Sequence, residues 1–410
     1  MEEQTEALSS SSNGLEKRPA LSFRDDCGRE FPSWHRTTLG TIIEPYSEKV
    51  HGEHDFEVLT SSREGLQRQI DHFGSQQRHD TDGYNIIPLG FCTYRNRSDD
   101  GRFTFNINKI SDKAIVSKFY PVFRFKNANS TFMTEYLNSS ARARKKLSVL
   151  AVGTSQVVLS FEALKSAKFD LPCKEEQDKI ASLLECLNER VELQRSFVDA
   201  LKKYKRGLQN RFFFKRSHLS SKPSEIDSHD VKPLGSVVHI NPKTGALPEA
   251  FIYIDLECVE SGVLNSKKLL SRNSAPSRAQ RLLEEGDLLY QMVRPYQKNN
   301  YYFQKNFEYP TVASTGYAQI RCSEVDTQFI YEQLSSDYFA REAMLRSTGT
   351  GYPAINADDL AEIPIWIPPL DQQEKIGAAL SFLGAKIEVH QKLLSALCSV
   401  KSSLMQQLFI

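Results

Sequence analysis

Hydrophobic and polar residues alternate most regularly in two long segments of the chain. In both segments an apolar residue returns every three or four positions, which is the heptad pattern of a coiled coil. The seam positions of the first segment are Ile180, Leu184, Leu187, Val191, Gln194, Val198, Leu201, Lys205, Leu208 and Phe212. Those of the second segment are Ile376, Leu380, Leu383, Ile387, His390, Leu394, Leu397, Lys401, Leu404 and Leu408. The pattern predicts two long helices that pair along this seam.

The two helical segments are copies of one another. A shift of 196 positions aligns Leu171–Phe213 with Ile367–Phe409 without a gap, and 12 of the 43 aligned residues are identical. Each copy begins with a proline-containing motif, LPCKEEQDKI in the first and IPPLDQQEKI in the second. Shorter matches at nearby offsets continue upstream. The chain therefore consists of two modules, each a globular part followed by a helix.

Polar residues in the seam indicate how the helices pair. Lys205 and Lys401 occupy matching seam positions, so a parallel pair in register would bring two positive charges together. An antiparallel pair separates the lysines and still lets Gln194 face His390. We therefore predict an antiparallel coiled coil, with the two modules related by a pseudo-twofold axis and their globular parts at opposite ends of a rod.

The globular segments mix strand and helix patterns. Runs typical of strands occur at Phe103–Ile107, Ile115–Phe125, Phe251–Asp255 and Tyr317–Arg321, and helical patterns at Thr131–Leu147 and Gln328–Leu345. We predict an α+β fold with two similar globular domains. The predicted divisions are a disordered N-terminal tail at 1–30, the first globular domain at 31–170, a central helical spacer at 171–216, a polar linker at 217–230, the second globular domain at 231–366 and a C-terminal helical spacer at 367–410.

Composition constrains the partners and the compartment. The net charge of +1 gives no overall basic signature, although local patches can still bind DNA. The seven cysteines are scattered without a Cys-x-x-Cys pair, which favours a reduced, intracellular compartment. No run approaches about 18 consecutive apolar residues, and the first residues lack the apolar core of a signal peptide. We predict a cytoplasmic protein.

Motifs for catalysis are missing from the sequence. There is neither a Gly-x-x-x-x-Gly-Lys-Ser/Thr phosphate loop nor a Gly-x-Gly-x-x-Gly dinucleotide motif. His51 and His54 resemble a metal-binding pair, but no third ligand is near them in sequence, so we interpret the segment as a solvated loop. We predict no catalytic residue, no metal and no cofactor in this chain. Together with the duplication, this favours a recognition protein.

Basic and polar residues cluster in loop-like segments of both globular domains. Arginine and lysine bind phosphate and guanine, and asparagine and glutamine read adenine. The predicted DNA-binding residues of the first domain are Ser62, Arg63, Gln67, Arg68, Tyr94, Arg95, Asn96, Arg97, Arg142, Arg144, Lys145 and Lys146. Those of the second domain are Lys267, Lys268, Arg272, Arg278, Arg294, Tyr296, Lys298 and Asn299. The alternative is that these are solvated surface charges, and that Arg142–Lys146 is the outer face of a helix.

The repeated helix motif resembles the specificity (S) subunit of type I restriction-modification systems. The resemblance also includes Val58–Gly65, Gly90–Tyr94 and Thr348–Asn356, and it covers residues 18–410. It implies two target recognition domains, each of which reads one half of a bipartite DNA sequence. The helices would set the distance between the halves.

The same resemblance implies partner subunits that carry the chemistry. The helices would dock two methyltransferase (M) subunits, to which restriction (R) subunits add. S-adenosylmethionine, ATP and Mg would be bound by those partners, while this chain supplies no catalytic residue. The alternative is a duplicated coiled-coil adaptor that joins proteins without DNA specificity.

Shortening both helices tests whether they set the distance between half-sites. Deleting one heptad from each helix keeps the seam in register and removes about 10 Å of helix, or about three base pairs of DNA. We expect a correspondingly shorter preferred spacer between unchanged half-sites, measured by selecting bound sites from a random DNA pool. An unchanged spacer would contradict the prediction.

Overall fold

The computed structural model describes residues 19–74, 80–214, 230–304 and 307–409. The chain divides into two compact units, of which the first consists of residues 1–193 and 394–410 and the second of residues 194–393. Each unit holds one globular domain, the beginning of one long helix and the end of the other. Residues 1–18 of the predicted tail and 217–229 of the predicted linker lie outside the described residues.

The first described residues are ordered, in contrast to the prediction for 19–30. The Leu21 N–H donates to the Gln407 carbonyl at 3.1 Å. The Asp25 carboxylate accepts a hydrogen bond from the backbone N–H of Arg29 at 2.8 Å and closes a turn. The predicted disordered tail is therefore too long at its C-terminal end, because these residues form hydrogen bonds with the rest of the first unit.

The first globular domain is built of short strands and short helices. Its strands are β1 (His35–Thr38), β2 (Ile43–Tyr46), β3 (Glu57–Ser62), β4 (Gly65–Arg68), β5 (Asn85–Ile86), β6 (Cys92–Tyr94), β7 (Arg97–Ser98), β8 (Phe105–Ile107), β9 (Ala114–Val116), β10 (Val122–Phe125), β11 (Val157–Val158) and β12 (Lys168–Leu171). Its helices are α1 (Gln69–Phe73), α2 (Ser130–Ser139), α3 (Ala141–Leu150) and α4 (Phe161–Ser166). The first long helix, α5 (Lys174–Gln209), follows and is extended by a π-helical turn at Asn210–Phe214.

The second globular domain has a similar set of elements. Its strands are β13 (Val231–Pro233), β14 (His239–Ile240), β15 (Ala250–Ile254), β16 (Val259–Glu260), β17 (Val263–Leu264), β18 (Lys268–Ser271), β19 (Ala279–Leu282), β20 (Leu288–Gln291), β21 (Tyr301–Tyr302), β22 (Thr311–Ser314), β23 (Tyr317–Arg321) and β24 (Pro364–Trp366). Its helices are α6 (Thr327–Leu334), α7 (Asp337–Leu345) and α8 (Ala357–Ala361). The second long helix, α9 (Leu370–Leu408), closes the described chain.

The two domains have the same sheet topology. In the first domain the strand orders are β2-β10-β6-β8 and β4-β3-β9-β5, and in the second they are β14-β23-β20-β21 and β18-β15-β22-β19. In each domain the second sheet contains a parallel pair, β3 with β9 and β15 with β22. A further strand pair, β1 with β12 or β13 with β24, joins the two ends of each domain. The predicted α+β duplication is therefore confirmed.

Each of the two predicted domain helices is a pair of helices broken at a serine. The Ser140 hydroxyl accepts a hydrogen bond from the Ala143 N–H and caps α3. The Ser336 hydroxyl accepts one from the Phe339 N–H and caps α7 in the same way. Serine favours such caps because its side chain replaces a missing backbone partner at a helix start.

The burial of the long helices matches the predicted seam. Every predicted seam residue of α5 and α9 is buried or half-buried. Leu184 and Leu380, for example, are 0% exposed, whereas Leu193 and Tyr204 outside the seam are 65% and 59% exposed. The heptad pattern therefore identified the apolar face of both helices correctly.

Contacts within each unit show that the helices are antiparallel. In the first unit, Leu184 near the start of α5 lies in the same core as Leu408 at the end of α9. In the second unit, Phe213 just beyond α5 lies in the same core as Leu380 near the start of α9. The predicted contact between Gln194 and His390 is present, with Nε2 donating to the His390 carbonyl at 2.9 Å.

A buried glutamine joins each long helix to the domain before it. In the first unit, Gln177 Nε2 donates to the Pro172 carbonyl at 2.9 Å, and Oε1 accepts from the Asn129 N–H at 2.9 Å. Asn129 is the N-cap of α2. The glutamine of the repeated motif therefore ties the start of α5 to the start of α2.

The second unit contains the same arrangement. Gln373 Nε2 donates to the Pro368 carbonyl at 2.7 Å, and Oε1 accepts from the N–H of Asp326, the N-cap of α6, at 3.0 Å. Gln177 is 4% exposed and Gln373 is 3% exposed. A buried amide is tolerated because both of its ends form hydrogen bonds.

The two seam lysines face glutamates of the domains. Lys205 Nζ lies 2.9 Å from Glu332 on α6, and Gln209 donates to the same carboxylate at 3.0 Å. Lys401 Nζ lies 4.0 Å from Glu135 on α2. The antiparallel pairing therefore gives each lysine an acidic partner in its own unit, and removing one partner alone would leave a largely buried charge uncompensated.

We expect Gln373→Ala to destabilise the chain by about 1–3 kcal/mol, because it leaves the partly buried Asp326 N–H and the buried Pro368 carbonyl without partners. The neighbouring Gln372 is exposed, so Gln372→Ala should change the free energy of unfolding by less than about 0.5 kcal/mol. Denaturant unfolding followed by circular dichroism measures both variants. Equal stabilities of the two variants would show that the glutamine bridge contributes nothing.

Candidate nucleic-acid interface

An arginine-lined cavity of about 110 Å³ opens on the surface of the first domain. It lies between the end of β3, β7 and the loops around them. Its lining residues are Ser61, Ser62, Arg63, Arg95, Arg97, Ser98, Asp99, Arg102 and Thr104. Four of the predicted DNA-binding residues are therefore brought together, although Ser62 and Arg63 are more than 30 positions away from Arg95 and Arg97 in the sequence.

The charge of this cavity is positive. Its four arginines face two carboxylates, those of Asp99 and Asp100. Arg63 Nη2 donates to Asp100 Oδ2 at 2.6 Å, and Arg102 Nε lies 4.0 Å from the same oxygen. Arg95 is exposed, and no described residue accepts a hydrogen bond from its guanidinium. Planar guanidinium groups bind phosphate and guanine through paired hydrogen bonds, so the cavity suits an anionic or guanine-containing ligand.

Asp100 remains ionised within this cluster. Hydrogen bonds from the Ser98 hydroxyl, the Arg102 N–H and the Arg63 guanidinium hold the pKa of the Asp100 carboxyl below its usual value. The carboxylate therefore contacts the arginines as a bound anion would. It holds Arg63 and Arg102 in place, while the Arg95 guanidinium stays available to a ligand.

The sequence prediction did not include Arg102. This residue follows the turn at Asp99–Gly101 and lines the cavity, with its Nε 4.0 Å from the Asp100 oxygen that Arg63 also contacts. The available signal was the same as for the other candidates, a basic residue in a polar loop. Only the folded loop shows that it joins the other three arginines.

A buried asparagine supports the cavity from below. Asn106 on β8 is 7% exposed, and its Nδ2 donates to Ser61 Oγ at 2.8 Å and to the Ser62 carbonyl at 3.0 Å. These bonds fix the end of β3, from which Arg63 projects. Asn96, predicted to contact DNA, has a buried Oδ1 to which no described residue donates.

The predicted DNA contact of Tyr94 is wrong. Its side chain is 0% exposed, packs at a tilt against the Phe105 ring and donates to the Leu159 carbonyl at 3.0 Å. Burial raises the pKa of the Tyr94 phenol. A side chain in the core of the domain has no surface to present to DNA.

Other predicted residues of the first domain do not line the cavity. On β4, Arg68 pairs with Glu57 at 3.0 Å, and Gln67 contacts His72 at 2.8 Å. The basic residues on α3 are Arg142, Arg144, Lys145 and Lys146. Among them Lys146 packs over the Phe169 ring, whereas Arg144 and Lys145 are exposed. This agrees with the interpretation of this segment as the outer face of a helix, and its DNA contact stays a prediction.

The loop between β20 and β21 is the corresponding candidate in the second domain. Arg294 and Lys298, at its two ends, adopt left-handed backbone angles with φ of 56° and 54°. The buried Gln291 bonds across it, donating to Gln297 Oε1 at 2.8 Å and accepting from the Asn299 N–H at 3.1 Å. Residues held in this sparsely populated conformation often serve function, and here the hydrogen bonds keep the loop rigid.

Two predicted residues of this loop anchor it to the domain. Lys298 Nζ pairs with the Asp337 carboxylate, which also receives Arg206 Nε at 2.9 Å. Asn299 Oδ1 accepts from the Ser261 N–H at 3.0 Å. Both side chains are already engaged inside the domain, so they position the loop.

The remaining predicted residues of the loop are available at the surface. Arg294 stacks over the ring of Tyr352 with 4.3 Å between the guanidinium carbon and the ring centre. Tyr352 is 70% exposed and Tyr296 is 53% exposed. Tyr352 was not among the predicted contacts, because it lies 58 positions after Arg294 in the sequence.

Further predicted residues of the second domain lie on its other sheet. Lys268 in β18 pairs with Asp255 at 2.7 Å, and Lys267 packs over the Phe307 ring at 4.4 Å. Arg272 and Arg278 are exposed in the turns that follow β18 and precede β19. These four residues are not brought to the Arg294 loop, which follows a strand of the first sheet.

The candidate surfaces occupy the same place in the two domains. In the first domain Arg97 pairs with Val158, and in the second Val293 pairs with Ala354. Both partners of the second pair lie 196 positions after those of the first. The loop that follows the same sheet strand, β6 or β20, thus meets the same neighbouring loop in each domain.

The two histidines of the possible metal pair have other polar partners. His51 Nδ1 lies 3.2 Å from Asp82, and His54 Nε2 lies 2.8 Å from Thr81. Among the residues that the structure describes, no group of three or more His, Cys, Asp or Glu side chains is arranged to hold a metal ion. That the chain binds no metal stays a prediction.

The duplicated domains and the paired long helices define a two-domain recognition fold, and the sequence places it in a known family. The family model of the type I restriction modification DNA specificity domain matches residues 55–202 and again residues 230–398. The chain therefore belongs to the type I restriction modification DNA specificity family.

Two relatives come from Methanocaldococcus jannaschii. The type I restriction enzyme MjaVIII specificity subunit is 25% identical over 257 residues, which are 58% of this chain and 60% of the relative. The putative type I restriction enzyme MjaX specificity subunit is 26% identical over 245 residues, 56% of this chain and 55% of the relative. The matched part thus spans somewhat more than half of each relative.

Solved structures share the fold over nearly the whole chain. The S subunit of a type I restriction-modification system from M. genitalium has a TM-score of 0.60 at 17% identity and covers 96% of this chain and 99% of its own. A chain from a study of complex assembly and conformational transition of the type I R-M system has a TM-score of 0.50 at 17% identity, covering 93% and 98%. At this identity the likeness concerns the fold alone.

We expect Arg95→Ala to weaken binding to duplex DNA and to lower the slope of log affinity against log salt by about 0.9, because one phosphate contact is lost. Lys126→Ala removes an exposed lysine of the same domain that neither lines the cavity nor belongs to the predicted DNA-binding residues, and it should leave the slope unchanged. Affinities measured at several salt concentrations compare the two. Equal slopes for both variants would exclude Arg95 from the interface.

Proposed function

We propose that this chain is the DNA specificity subunit of a type I restriction-modification complex, and that each domain reads one half of a bipartite DNA sequence. The observation that carries the proposal is that the two domains have the same strand order but different surface loops. The strand orders of the two domains match. The loops at the equivalent place present an arginine-lined cavity in one domain and an arginine stacked on tyrosine in the other.

Two domains with the same sheet topology but different loops are suited to reading two different half-sites. Phosphate contacts fix the position of a protein on DNA, whereas base contacts distinguish sequences. Two domains of one topology can approach DNA in the same manner while their loops read different bases. A binder of a single uniform site would have no use for this difference.

An apolar surface on the long helices supports the docking of partner subunits. The exposed apolar residues outside the seam include Leu193, Phe197 and Tyr204 of α5 and Phe382, Val389, Leu393 and Val400 of α9. Three of those on α9 lie 196 positions after the three on α5. Scattered exposed apolar residues are normal, but recurrence at matched helix positions indicates a repeated interaction surface.

We assign this repeated surface to two methyltransferase subunits, one for each copy. Restriction subunits would then join through the methyltransferases. S-adenosylmethionine, ATP and Mg would be bound by these partners, and the present chain would supply recognition without catalysis. An adaptor that joins proteins without reading DNA would use the same apolar surface but would have no use for the arginine cavity.

The predicted cytoplasmic location forms part of the proposal. All seven cysteines are free thiols, which is usual in a reducing compartment. Across the described ranges of the chain, no helix has the length and apolar content needed to cross a membrane.

The discriminating observation is whether a methyltransferase subunit is encoded beside this chain. The decisive experiment is co-expression with that subunit, followed by sequencing of the methylated host DNA. We expect methylation at a bipartite motif with two defined halves and a fixed spacer. A control culture expresses the methyltransferase alone and should show no such motif. Complex formation without any sequence-specific methylation would favour the adaptor.

Exchanging one domain tests whether each domain reads its own half-site. Replacing Phe31–Asp170 by the corresponding domain of another family member should change one half-site. It should leave the other half-site and the spacer intact, because each globular domain has its own sheets and loops. The reciprocal exchange of residues 231–366 should change the other half. If a single exchange altered both halves, the domains would not be independent readers.

A further inference from the structure

We propose that Tyr352 is a positioning residue that holds the Arg294 guanidinium for paired hydrogen bonds to a guanine base. This inference rests on the proposed function, since it assigns a base contact to the half-site read by the second domain. It concerns a pair of side chains from two loops, of which only Arg294 carries the hydrogen-bond donors. Tyr352 would act through Arg294.

The backbone fixes the two loops to each other beside the stacked pair. The Arg294 N–H donates to the carbonyl of Pro353, the residue after Tyr352, at 2.7 Å. Val293 pairs with Ala354 on the same side. The contact between the side chains therefore follows from a fixed backbone arrangement.

The conformation of Arg294 fits this role. Its φ of 56° is in the left-handed region, which costs free energy for a non-glycine residue and therefore persists only where the surroundings enforce it. Here the hydrogen bond to Pro353 and the rigid loop anchored by Gln291 enforce it. The fold thus maintains an unfavourable backbone angle at the residue that carries the guanidinium.

Stacking leaves the hydrogen-bonding edge of the arginine free. The guanidinium carbon lies 4.3 Å from the centre of the Tyr352 ring, so the face of the group is covered by the ring. No described residue accepts a hydrogen bond from this guanidinium. Its N–H groups lie in its own plane, and they remain available for a ligand with two adjacent acceptors.

Guanine is the base with the matching acceptors. Its N7 and O6 accept the two parallel hydrogen bonds of an arginine in the major groove. A side chain held in place before binding loses less conformational entropy when the complex forms. A phosphate also accepts two hydrogen bonds from arginine, so the experiment must separate the base from the backbone.

The first domain offers an internal comparison. The residue 196 positions before Tyr352 is Gln156, and its Nε2 donates to Asp99 at 3.0 Å. The stacked pair is therefore specific to the second domain. Loss of Tyr352 should affect one half-site and leave the other unchanged.

The experiment uses the full chain in complex with its methyltransferase subunit and compares Tyr352→Ala, Tyr352→Phe and Arg294→Lys. Selected binding sites give the sequence preference, and affinities at several salt concentrations give the electrostatic part. We expect Tyr352→Ala and Arg294→Lys to relax one guanine position of one half-site, with about tenfold weaker binding to the preferred sequence. Tyr352→Phe keeps the ring and should retain the preference.

The controls separate the possible failures. Gln156→Ala changes the corresponding position of the first domain and should leave that guanine preference intact. Tyr352 is 70% exposed, so thermal unfolding of Tyr352→Ala should match that of the unaltered chain. Failure of the unaltered complex to select any bipartite sequence would count against the proposed function itself.

Three outcomes would overturn the inference while leaving the proposed function intact. If Arg294→Lys weakened all sequences equally, Arg294 would contact phosphate. If Arg294→Lys relaxed a guanine position but Tyr352→Ala did not, Tyr352 would not position Arg294. If neither variant altered the preference, the loop would lie outside the readout surface.

Discussion

In each half of the chain, a buried glutamine side chain bonds at one end to the proline before its long helix and at the other to the cap of a domain helix. Gln177 and Gln373 occupy the same place in the repeated motif and form the same pair of bonds. The donor and the acceptor of a buried amide both need hydrogen-bond partners. The glutamine therefore fixes where the long helix starts relative to the domain. The repeated motif is thus a joint between domain and helix.

Because the joint and the strand order are the same in both copies, the surface loops are free to differ. One domain gathers arginines around an aspartate, and the other stacks Arg294 on Tyr352. Binding loops placed on a rigid scaffold can vary without loss of stability. The duplicated frame therefore determines how the loops are presented, and the unequal loops determine what they bind.

Charged side chains in this chain are balanced locally, within small clusters. The net charge of +1 does not reveal the arginine cluster of the first domain, or the two seam lysines that face Glu332 and Glu135. In the cavity, Asp100 holds two of the arginines without neutralising all four. The seam lysines thus pair with glutamates of the domains, whereas arginines at the surface are available to a ligand. The amino-acid composition does not distinguish the two groups.

The sequence by itself determined the duplication, the seam and the antiparallel pairing, because heptad spacing is a local pattern that fixes one helix face. It named Arg63, Arg95 and Arg294, but it also named the buried Tyr94 and omitted Tyr352. Whether a polar residue near a strand end turns inward, and which distant loop it meets, depends on contacts between residues far apart in sequence. Only the tertiary structure decided these, since no local spacing records which loops the folded sheets bring together.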